Sequence, residues 1–317
     1  DHRDLHSFPT RRSSDLPNNL VPGDNVVACK PGTVNPDRQI IIGGHFDAAA
    51  NSPGADDNAT GTAGTLEIAR VLAQVDLPYT LVFIAFDAEE SWMVGSTHYA
   101  DSVAAEGADI ILMINLDMIA HITNNTRANI YYGPEDAYAR LWAQLAPAYS
   151  FTGVDLAGST ASDHQPFADN GYDVIFVQED HFSTHYHQPS DSTTYLNFEY
   201  MTRMVKASLH TALATCLTPP PIRITSVLEP GDGYSQILSW RRLYFNTLDH
   251  LRVVWYQAAT PWAKQWVDLP PADTGYTVTG LTDNVPYVFY VQAFDTQGRT
   301  SYALKEVYAT PHSVPLP

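Results

Sequence analysis

Two apolar runs of strand length, each ending on acidic residues, constrain the fold of this chain more than any other feature. The first run, residues 81–86, precedes Glu89 and Glu90, and the second, "DIILMINL", precedes Asp117. Continuously apolar runs of this length are typical of buried parallel strands, whose carboxyl ends meet at one edge of a sheet. Ligand sites of α/β proteins lie at that edge, so the sequence predicts an α/β domain with acidic side chains gathered there.

Helical patterns alternate with these runs. "ATGTAGTLEIARVLAQ" places Leu66, Ala69 and Leu72 at helical spacing, and "EDAYARLWAQLAPAY" and "FEYMTRMVKASLHTALATCL" repeat the pattern. The alternation predicts a mixed, mainly parallel sheet flanked by helices.

Five side chains able to bind metal ions lie in short motifs spread over this region. A two-metal site needs one ligand shared by both ions and two further ligands for each. One of the paired glutamates, Glu89 and Glu90, is expected to bind metal while the other stays free. The mixed imidazole and carboxylate set suits zinc, and cobalt or manganese would also be accepted. The five candidate ligands are His45, Asp57, Glu90, Asp117 and His187.

Other polar residues of these motifs are assigned supporting positions. Asp47, two residues beyond His45, is placed to accept the second ring N–H of that histidine and fix its tautomer. His181 and His185 are rivals of His187 and are interpreted as loop histidines. Asp163 and His164, in "SDHQPF", are interpreted as support beside the site rather than as ligands.

In this order, the motifs "HFD", "GADDNATG", "FDAEESWMVGS", "NLDMI", "SDHQPF" and "YHQPSD" resemble peptidase family M28, a group of zinc peptidases. The resemblance covers about residues 25–217 and implies a phosphorylase/hydrolase-like α/β fold. It implies that Asp57 bridges two zinc ions, with Asp56 as the alternative. His45 and Glu90 would then be non-bridging ligands on different ions, and Asp117 and His187 would complete the two shells.

The same resemblance implies an aminopeptidase that acts on a peptide or protein with a free N-terminus. Glu89 would be the general base for a zinc-bridging water, and Tyr186 would stabilise the oxyanion. Carboxylates near the metals would hold the substrate amine. Trp92 and Met93 depart from the usual Gly-Leu, and the bulky indole is expected to narrow the substrate pocket; Thr60 and Ala120 are milder departures.

Three alternatives remain open. A carboxypeptidase of the same family would need a basic residue for the substrate carboxylate, and a related glutaminyl cyclase would use one zinc. Five ligands favour two ions. The third alternative is a non-catalytic binding module, and the presence of both Glu89 and Glu90 argues against it.

A proline run at residues 219–221 separates a second domain of all-β character. "SQILSW", "HLRVVWYQ", "QWVDL", "GYTVTGL", "YVFYVQAFD" and "YALKEVYAT" read as strands. The tail resembles a fibronectin type III domain, with Trp240 as its strand-B tryptophan and Leu281 and Tyr287 as its tyrosine corner. Trp255, Trp262 and Trp266 are expected to pack in the sandwich rather than form a sugar-binding face. The domain is interpreted as a spacer or tether that contacts an extracellular polymer.

The predicted boundaries are 17–217 for the peptidase-like domain, 218–222 for the linker, 223–312 for the β domain and 313–317 for a tail. Residues 1–16 are predicted to be an assembly artefact, since residues 7–16 back-translate into a common sequencing adapter. With that reading no signal peptide is visible, and secretion is expected from the resemblance alone.

The chain carries 17 Lys and Arg against 35 Asp and Glu, a formal charge of −18 that excludes the basic footprint of a nucleic-acid-binding protein. No run is long enough to span a membrane. The two cysteines, Cys29 and Cys216, are equally consistent with a disulfide and with two buried thiols.

Overall fold

The computed structural model describes residues 23–121, 126–243, 245, 247–301 and 306–313. The proposed adapter segment, residues 1–16, and nearly all of the predicted tail lie outside the described residues. The chain divides into two compact units between Cys216 and Leu217.

The first unit is built on a seven-stranded mixed sheet in the order β1-β3-β2-β4-β7-β5-β6. Strands β3, β2, β4 and β7 are mutually parallel and form its centre, β1 pairs antiparallel with β3, and β5 pairs antiparallel with β7 and parallel with β6. The strands are β1 (Val26–Lys30), β2 (Asn35–His45), β3 (Tyr79–Phe86), β4 (Asp109–Leu116), β5 (Arg127–Gly133), β6 (Gly153–Ala157) and β7 (Val174–Glu179).

Helices cover both faces of this sheet. They are α1 (Ala59–Leu72), α2 (Val94–Ala105), α3 (Ala137–Leu145), α4 (Gln165–Asp169) and α5 (Phe198–Leu217), with short 3₁₀ helices at Ala146–Tyr149 and Thr193–Tyr195. Helices α2 and α4 pack over a core that includes Val82 and Phe86. On the opposite face α3 and α5 are joined by a hydrogen bond from the Trp142 Nε1–H to the Ser208 hydroxyl at 3.1 Å. The predicted sheet with helices on its faces is confirmed for this unit.

The predicted helix α1 is confirmed, but its expected apolar face is wrong at Leu66, which is 64 % exposed. The buried face instead carries Gly61, Gly64 and Ile68. A Cβ at Gly61 would lie 1.9 Å from the Leu116 carbonyl oxygen. The close approach of the helix to the end of β4 therefore decides which residues face the sheet, and Leu66 falls outside that contact.

The second unit contains two antiparallel sheets, in the orders β11-β10-β13-β14 and β12-β9-β8. Both sheets contribute to one hydrophobic core that includes Trp240, Val253 and Phe289. β8, in the segment after the proline run, was not among the predicted strands. The strands are β8 (Ile224–Leu228), β9 (Ser235–Trp240), β10 (Leu248–Gln257), β11 (Gln265–Leu269), β12 (Gly275–Thr279), β13 (Tyr287–Asp295) and β14 (Val307–Ala309).

The tryptophans of this unit separate into two groups. Trp255 is 9 % exposed and lies in the core as expected, whereas Trp262 and Trp266 are 79 % and 59 % exposed, so the packing prediction is wrong for these two. β11 is an edge strand, and Val267, the residue after Trp266, packs on the core. Successive side chains of a strand point to opposite faces, so the side chain of Trp266 faces away from the core. The Arg252 guanidinium lies over its ring at 5.6 Å.

Both cysteines are free thiols in the structure. Cys29 packs on the α2–α4 side of the sheet, while Cys216 is buried in α5 on the other side. The sheet separates the two residues, which excludes the disulfide alternative in this structure.

Candidate metal centre

Four neighbouring parallel strands carry the candidate site at their carboxyl ends. His45 is the last residue of β2, Glu89 and Glu90 follow β3, and Asp117 follows β4 directly. Asp57 lies in the turn before α1, and His187 lies in the loop after β7. The predicted placement of the acidic residues just beyond the ends of buried parallel strands is confirmed for β3 and β4.

The structure brings the five predicted ligands together in two sets that share Asp57. One set contains His45, Asp57 and Asp117, and the other contains Asp57, Glu90 and His187; within each set the ligand atoms lie within 4.8 Å of one another. The His45 Nε2 atom is 3.3 Å from Asp57 Oδ1 and 3.5 Å from Asp117 Oδ1. The His187 Nε2 atom is 3.0 Å from Asp57 Oδ2 and 3.1 Å from Glu90 Oε2. The two carboxylate oxygens of Asp57 therefore face different sets.

The residues present fit a pair of divalent cations. Among the described residues, Asp57 Oδ2, Glu90 Oε1 and Asp117 Oδ1 are buried and have no hydrogen-bond donor. Burial raises the pKa of both Asp57 and Glu90. Buried carboxylate oxygens without a hydrogen bond are costly, and a cation removes that cost by reversing the local field. Carboxylate oxygens with imidazole nitrogens form a donor set that suits zinc.

Glu89 lies beside the two sets but belongs to neither. Its Oε2 atom is 3.9 Å from His45 Nε2, and burial raises the pKa of its carboxyl to about 9. The backbone N–H groups of Glu89 and Glu90 donate to the two oxygens of Asp47 at 3.0 and 3.1 Å. The turn after β3 is thus held by Asp47 while the Glu89 side chain stays free.

Asp47 also contacts His45, chiefly through its backbone. The His45 Nδ1 atom lies 3.0 Å from the Asp47 carbonyl oxygen and 3.5 Å from the Asp47 carboxylate. A carbonyl can only accept, so Nδ1 carries a proton, and Nε2 faces Asp57 and Asp117, where it would offer its lone pair to a bound cation.

Several residues around the centre were not found by sequence reasoning. The Ser162 hydroxyl donates to Asp117 Oδ2 at 2.6 Å and accepts from the Asn115 side chain at 2.7 Å. Asn58 caps α1 by accepting from the Gly61 N–H at 2.8 Å. Ser162 lies in a motif that was recognised, but nothing in the sequence indicated its partner.

The predicted supporting residues take varied positions. Asp163 and His164 are fully buried, and His164 Nε2 lies 3.0 Å from the Ser159 carbonyl oxygen. His181 is 2.8 Å from Asp180, and His185 stacks on Tyr195 with ring centroids 3.8 Å apart. Neither His181 nor His185 belongs to a donor set in the described part of the chain.

Tyr186 stacks on the His187 ring at a centroid distance of 3.8 Å. Burial, together with the nearby carboxylates of Asp57 and Glu90, raises the pKa of its hydroxyl, which therefore remains protonated and able to donate.

Trp92 lies at the surface, and the expected narrowing of the substrate pocket by its indole stays a prediction. Its side chain is 91 % exposed, and it lines an open groove of about 560 Å³ beside α2. The backbone of Trp92 has a φ of 70°, in the left-handed region.

Comparison with known proteins identifies the family. Residues 25–212 match peptidase family M28. The chain belongs to this family. Among curated relatives, a "Probable zinc metalloprotease" of Pyrenophora tritici-repentis is 27 % identical, with 89 % of this chain and 80 % of the relative covered. Aminopeptidase YwaD of Bacillus subtilis is 29 % identical over 66 % of this chain and 48 % of its own length. Membership in M28 identifies the chain as a metallopeptidase-family hydrolase with a zinc centre.

Solved structures share the fold of the first unit. A zinc aminopeptidase from Bacillus subtilis has a TM-score of 0.55 and 26 % identity, covering 61 % of this chain and 51 % of that one. An aminopeptidase from Aneurinibacillus sp. strain AM-1 has a TM-score of 0.56 and 28 % identity, covering 62 % and 48 %. The chain spans about half the length of these aminopeptidases. A glutaminyl cyclase from an Acidobacteriales bacterium, 18 % identical with a TM-score of 0.54, shares the fold alone. No helix in the described ranges has the length and apolar character to cross a membrane.

Proposed function

We propose that the chain is a two-zinc aminopeptidase that hydrolyses the first peptide bond of peptides with a free N-terminus. The observation that carries the proposal is the pair of three-ligand sets that meet at Asp57. A shared carboxylate with two further ligands on each side is the arrangement of two-metal hydrolytic sites.

Glu89 is the proposed general base. When bound by the two sets, zinc would supply Lewis-acid polarisation of the scissile carbonyl and a water of lowered pKa, and its charge would favour the ionised form of Glu89. Glu89 is free of both ligand sets and lies 3.9 Å from His45, so its carboxylate can take a proton from the attacking water and deliver it to the leaving amine. The Tyr186 hydroxyl beside His187 is the proposed donor to the developing oxyanion.

The charge of the centre supports an aminopeptidase over a carboxypeptidase. In the described residues, every ion pair at the centre joins a histidine to a carboxylate, and none includes Lys or Arg. A substrate carboxylate would meet no Lys or Arg in these pairs, whereas an α-ammonium group would be attracted by the carboxylates of the centre.

Glu89→Gln tests the assignment of the base. The amide keeps the shape of the side chain but cannot take a proton, so turnover of a peptide with a free N-terminus is expected to fall by 10² or more. Zinc content, measured by elemental mass spectrometry, is expected to stay at two ions. Glu67→Gln, on the exposed surface of α1, is the matched control. Loss of zinc together with activity would make Glu89 a ligand and refute the assignment.

Peptides blocked at one end separate the alternatives. Acetylation of the substrate amine is expected to abolish cleavage, and amidation of its carboxyl end is expected to leave cleavage intact. The reverse result would support the carboxypeptidase. One zinc per chain with cyclisation of N-terminal glutamine would support the cyclase, and two bound zinc ions without any product would support the non-catalytic module.

For the second unit we propose a fibronectin type III-like spacer, and for the whole chain we propose secretion. The buried Trp240 and the Tyr287 hydroxyl, which accepts from the Thr282 N–H at 3.2 Å, support this assignment of the unit. The exposed Trp262 and Trp266 support contact with an extracellular polymer. Replacing both by Ala is expected to reduce co-sedimentation with insoluble polysaccharide; unchanged sedimentation would contradict that contact. Detection of the protein in culture medium tests secretion.

A further inference from the structure

Asp191, which is distant in sequence, forms hydrogen bonds to the backbone at Asp57, the ligand shared by the two sets. Its Oδ1 atom accepts from the Asp56 N–H at 3.0 Å, and its Oδ2 atom accepts from the Asp57 N–H at 3.2 Å. The residue is only 2 % exposed and lies more than 130 positions along the chain from both donors. Both oxygens of one buried carboxylate are therefore used to fix two consecutive peptide groups.

The loop that carries Asp191 also carries His187. The Asp191 N–H donates to the Gln188 carbonyl at 3.0 Å, and the Gln188 N–H donates to the His185 carbonyl at 2.9 Å. These bonds make the segment from His185 to Asp191 a chain of turns. A displacement of Asp191 is consequently transmitted to His187, four residues away.

We propose that Asp191 is a positioning residue that sets the separation between Asp57 and His187 and so determines the affinity of the cation shared by Asp57, Glu90 and His187. The inference rests on the proposed two-zinc function. His45 is the last residue of β2 and Asp117 follows β4, so neither lies in the Asp191 loop. The other cation shares only Asp57 with this set, so the larger effect is expected on the cation of Asp57, Glu90 and His187.

A second carboxylate in the centre is used in the same way. Asp47 accepts the N–H groups of Glu89 and Glu90 at 3.0 and 3.1 Å, as Asp191 accepts those of Asp56 and Asp57. Bonds from N–H groups to an ionised carboxylate are shorter and stronger than neutral ones. All three ligands of the second set thus have a backbone that is held by, or lies in the same loop as, the carboxylate of Asp47 or Asp191.

Asp191→Asn is the test, because asparagine keeps the volume but replaces one acceptor oxygen by a donor. One of the two N–H bonds is lost, and the amide NH₂ faces an N–H group instead. Metal-free wild type and variant are titrated with zinc in competition with a chelator and, separately, with cobalt followed by visible absorption. Ser190→Ala, in the same loop, is the control, since the Ser190 hydroxyl contacts His185 at 2.8 Å rather than the Asp57 turn.

The expected result is about 10- to 100-fold weaker binding of the second cation, that of Asp57, Glu90 and His187, the range seen when residues that orient metal ligands are replaced. Binding of the first cation, that of His45, Asp57 and Asp117, is expected to weaken less. Cobalt absorption of the second equivalent is expected to shift, and the control is expected to match wild type. Equal weakening of both cations, or no weakening, would overturn the inference. If wild type itself bound fewer than two ions, the two-zinc proposal would fail instead.

Far-UV circular dichroism of the metal-free proteins separates positioning from folding. If Asp191→Asn lost the native spectrum, Asp191→Glu, which keeps the charge, would enter the same titration and is expected to weaken the second cation as well, because its longer side chain cannot reach both N–H groups in the same geometry. Loss of the native spectrum in both variants would overturn the inference, since Asp191 would then determine folding rather than metal spacing.

Discussion

Asp163 provides the sharpest test of the electrostatics around the centre. The residue is fully buried, and neither of its oxygens makes a hydrogen bond to the described residues. Burial raises the pKa of its carboxyl from 3.8 to about 7, although the charge of the nearby His45 acts in the opposite direction. We predict that Asp163→Asn changes how the stability of the metal-free protein depends on pH.

The sign and size follow from proton linkage. The unfolded chain loses the Asp163 proton near pH 3.8, whereas the native protein keeps it to about pH 7. The stability that this proton contributes is therefore fully present below about pH 4 and is lost as the pH rises to about 7. At about 1.4 kcal/mol per pH unit the loss is about 4 kcal/mol, with about 3 kcal/mol of it between pH 5 and 8.

Urea unfolding of the metal-free proteins at pH 5 and pH 8 measures this loss. Asparagine does not titrate, so the free energy of unfolding of Asp163→Asn relative to wild type is expected to rise by about 3 kcal/mol between the two pH values. Asp76→Asn, which removes an exposed carboxyl, is the control. A difference that stays constant with pH would refute the reasoning, because it would mean that burial does not hold the Asp163 proton. Saturating zinc is expected to reduce the rise, since cations favour the ionised carboxylate.

Three further outcomes are expected. Ser162→Ala removes the 2.6 Å hydrogen bond to Asp117 and should weaken zinc binding about 10- to 100-fold in a chelator competition; unchanged affinity would contradict the orienting role. Gly61→Ala places a Cβ 1.9 Å from the Leu116 carbonyl oxygen and should lower the free energy of unfolding by about 1–3 kcal/mol in urea; a stabilised variant would contradict the packing. Leu66→Lys, on the exposed side of α1, should change stability by less than about 0.5 kcal/mol, and a larger loss would mean that Leu66 is buried.

The sheet and its ligand-bearing edge could be predicted because a strand buried on both faces shows itself as a continuous apolar run in the local sequence. An apolar run such as that of β3 has no solvent face, so it must lie in the middle of a sheet with helices on both sides. The acids that follow β3 and β4 are then placed by chain connectivity alone. Helix α5 could also be predicted, because its 20 residues carry a continuous helical pattern of apolar residues.

Contacts between distant segments could not be predicted in this way. Leu66 fits a helical pattern as well as Ile68 does, and only the approach of Gly61 to β4 decides between them. Trp266 satisfies strand alternation on either face, and the sheet position of β11 determines that it faces outward. Asp191 was visible in its motif, but its two donors lie more than 130 residues earlier, and no local pattern connects them.

The acidity of the centre explains why its loops must be held by hydrogen bonds rather than by packing alone. Asp57, Glu90 and Asp117 repel one another without cations, and each has a buried oxygen that lacks a donor among the described residues. Coulomb repulsion at such separations costs several kcal/mol at the effective dielectric of a protein and would drive the loops apart. The carboxylates of Asp47 and Asp191 oppose this by fixing peptide groups instead of side chains. The ligands therefore stay close enough to bind cations while their own oxygens remain free to do so.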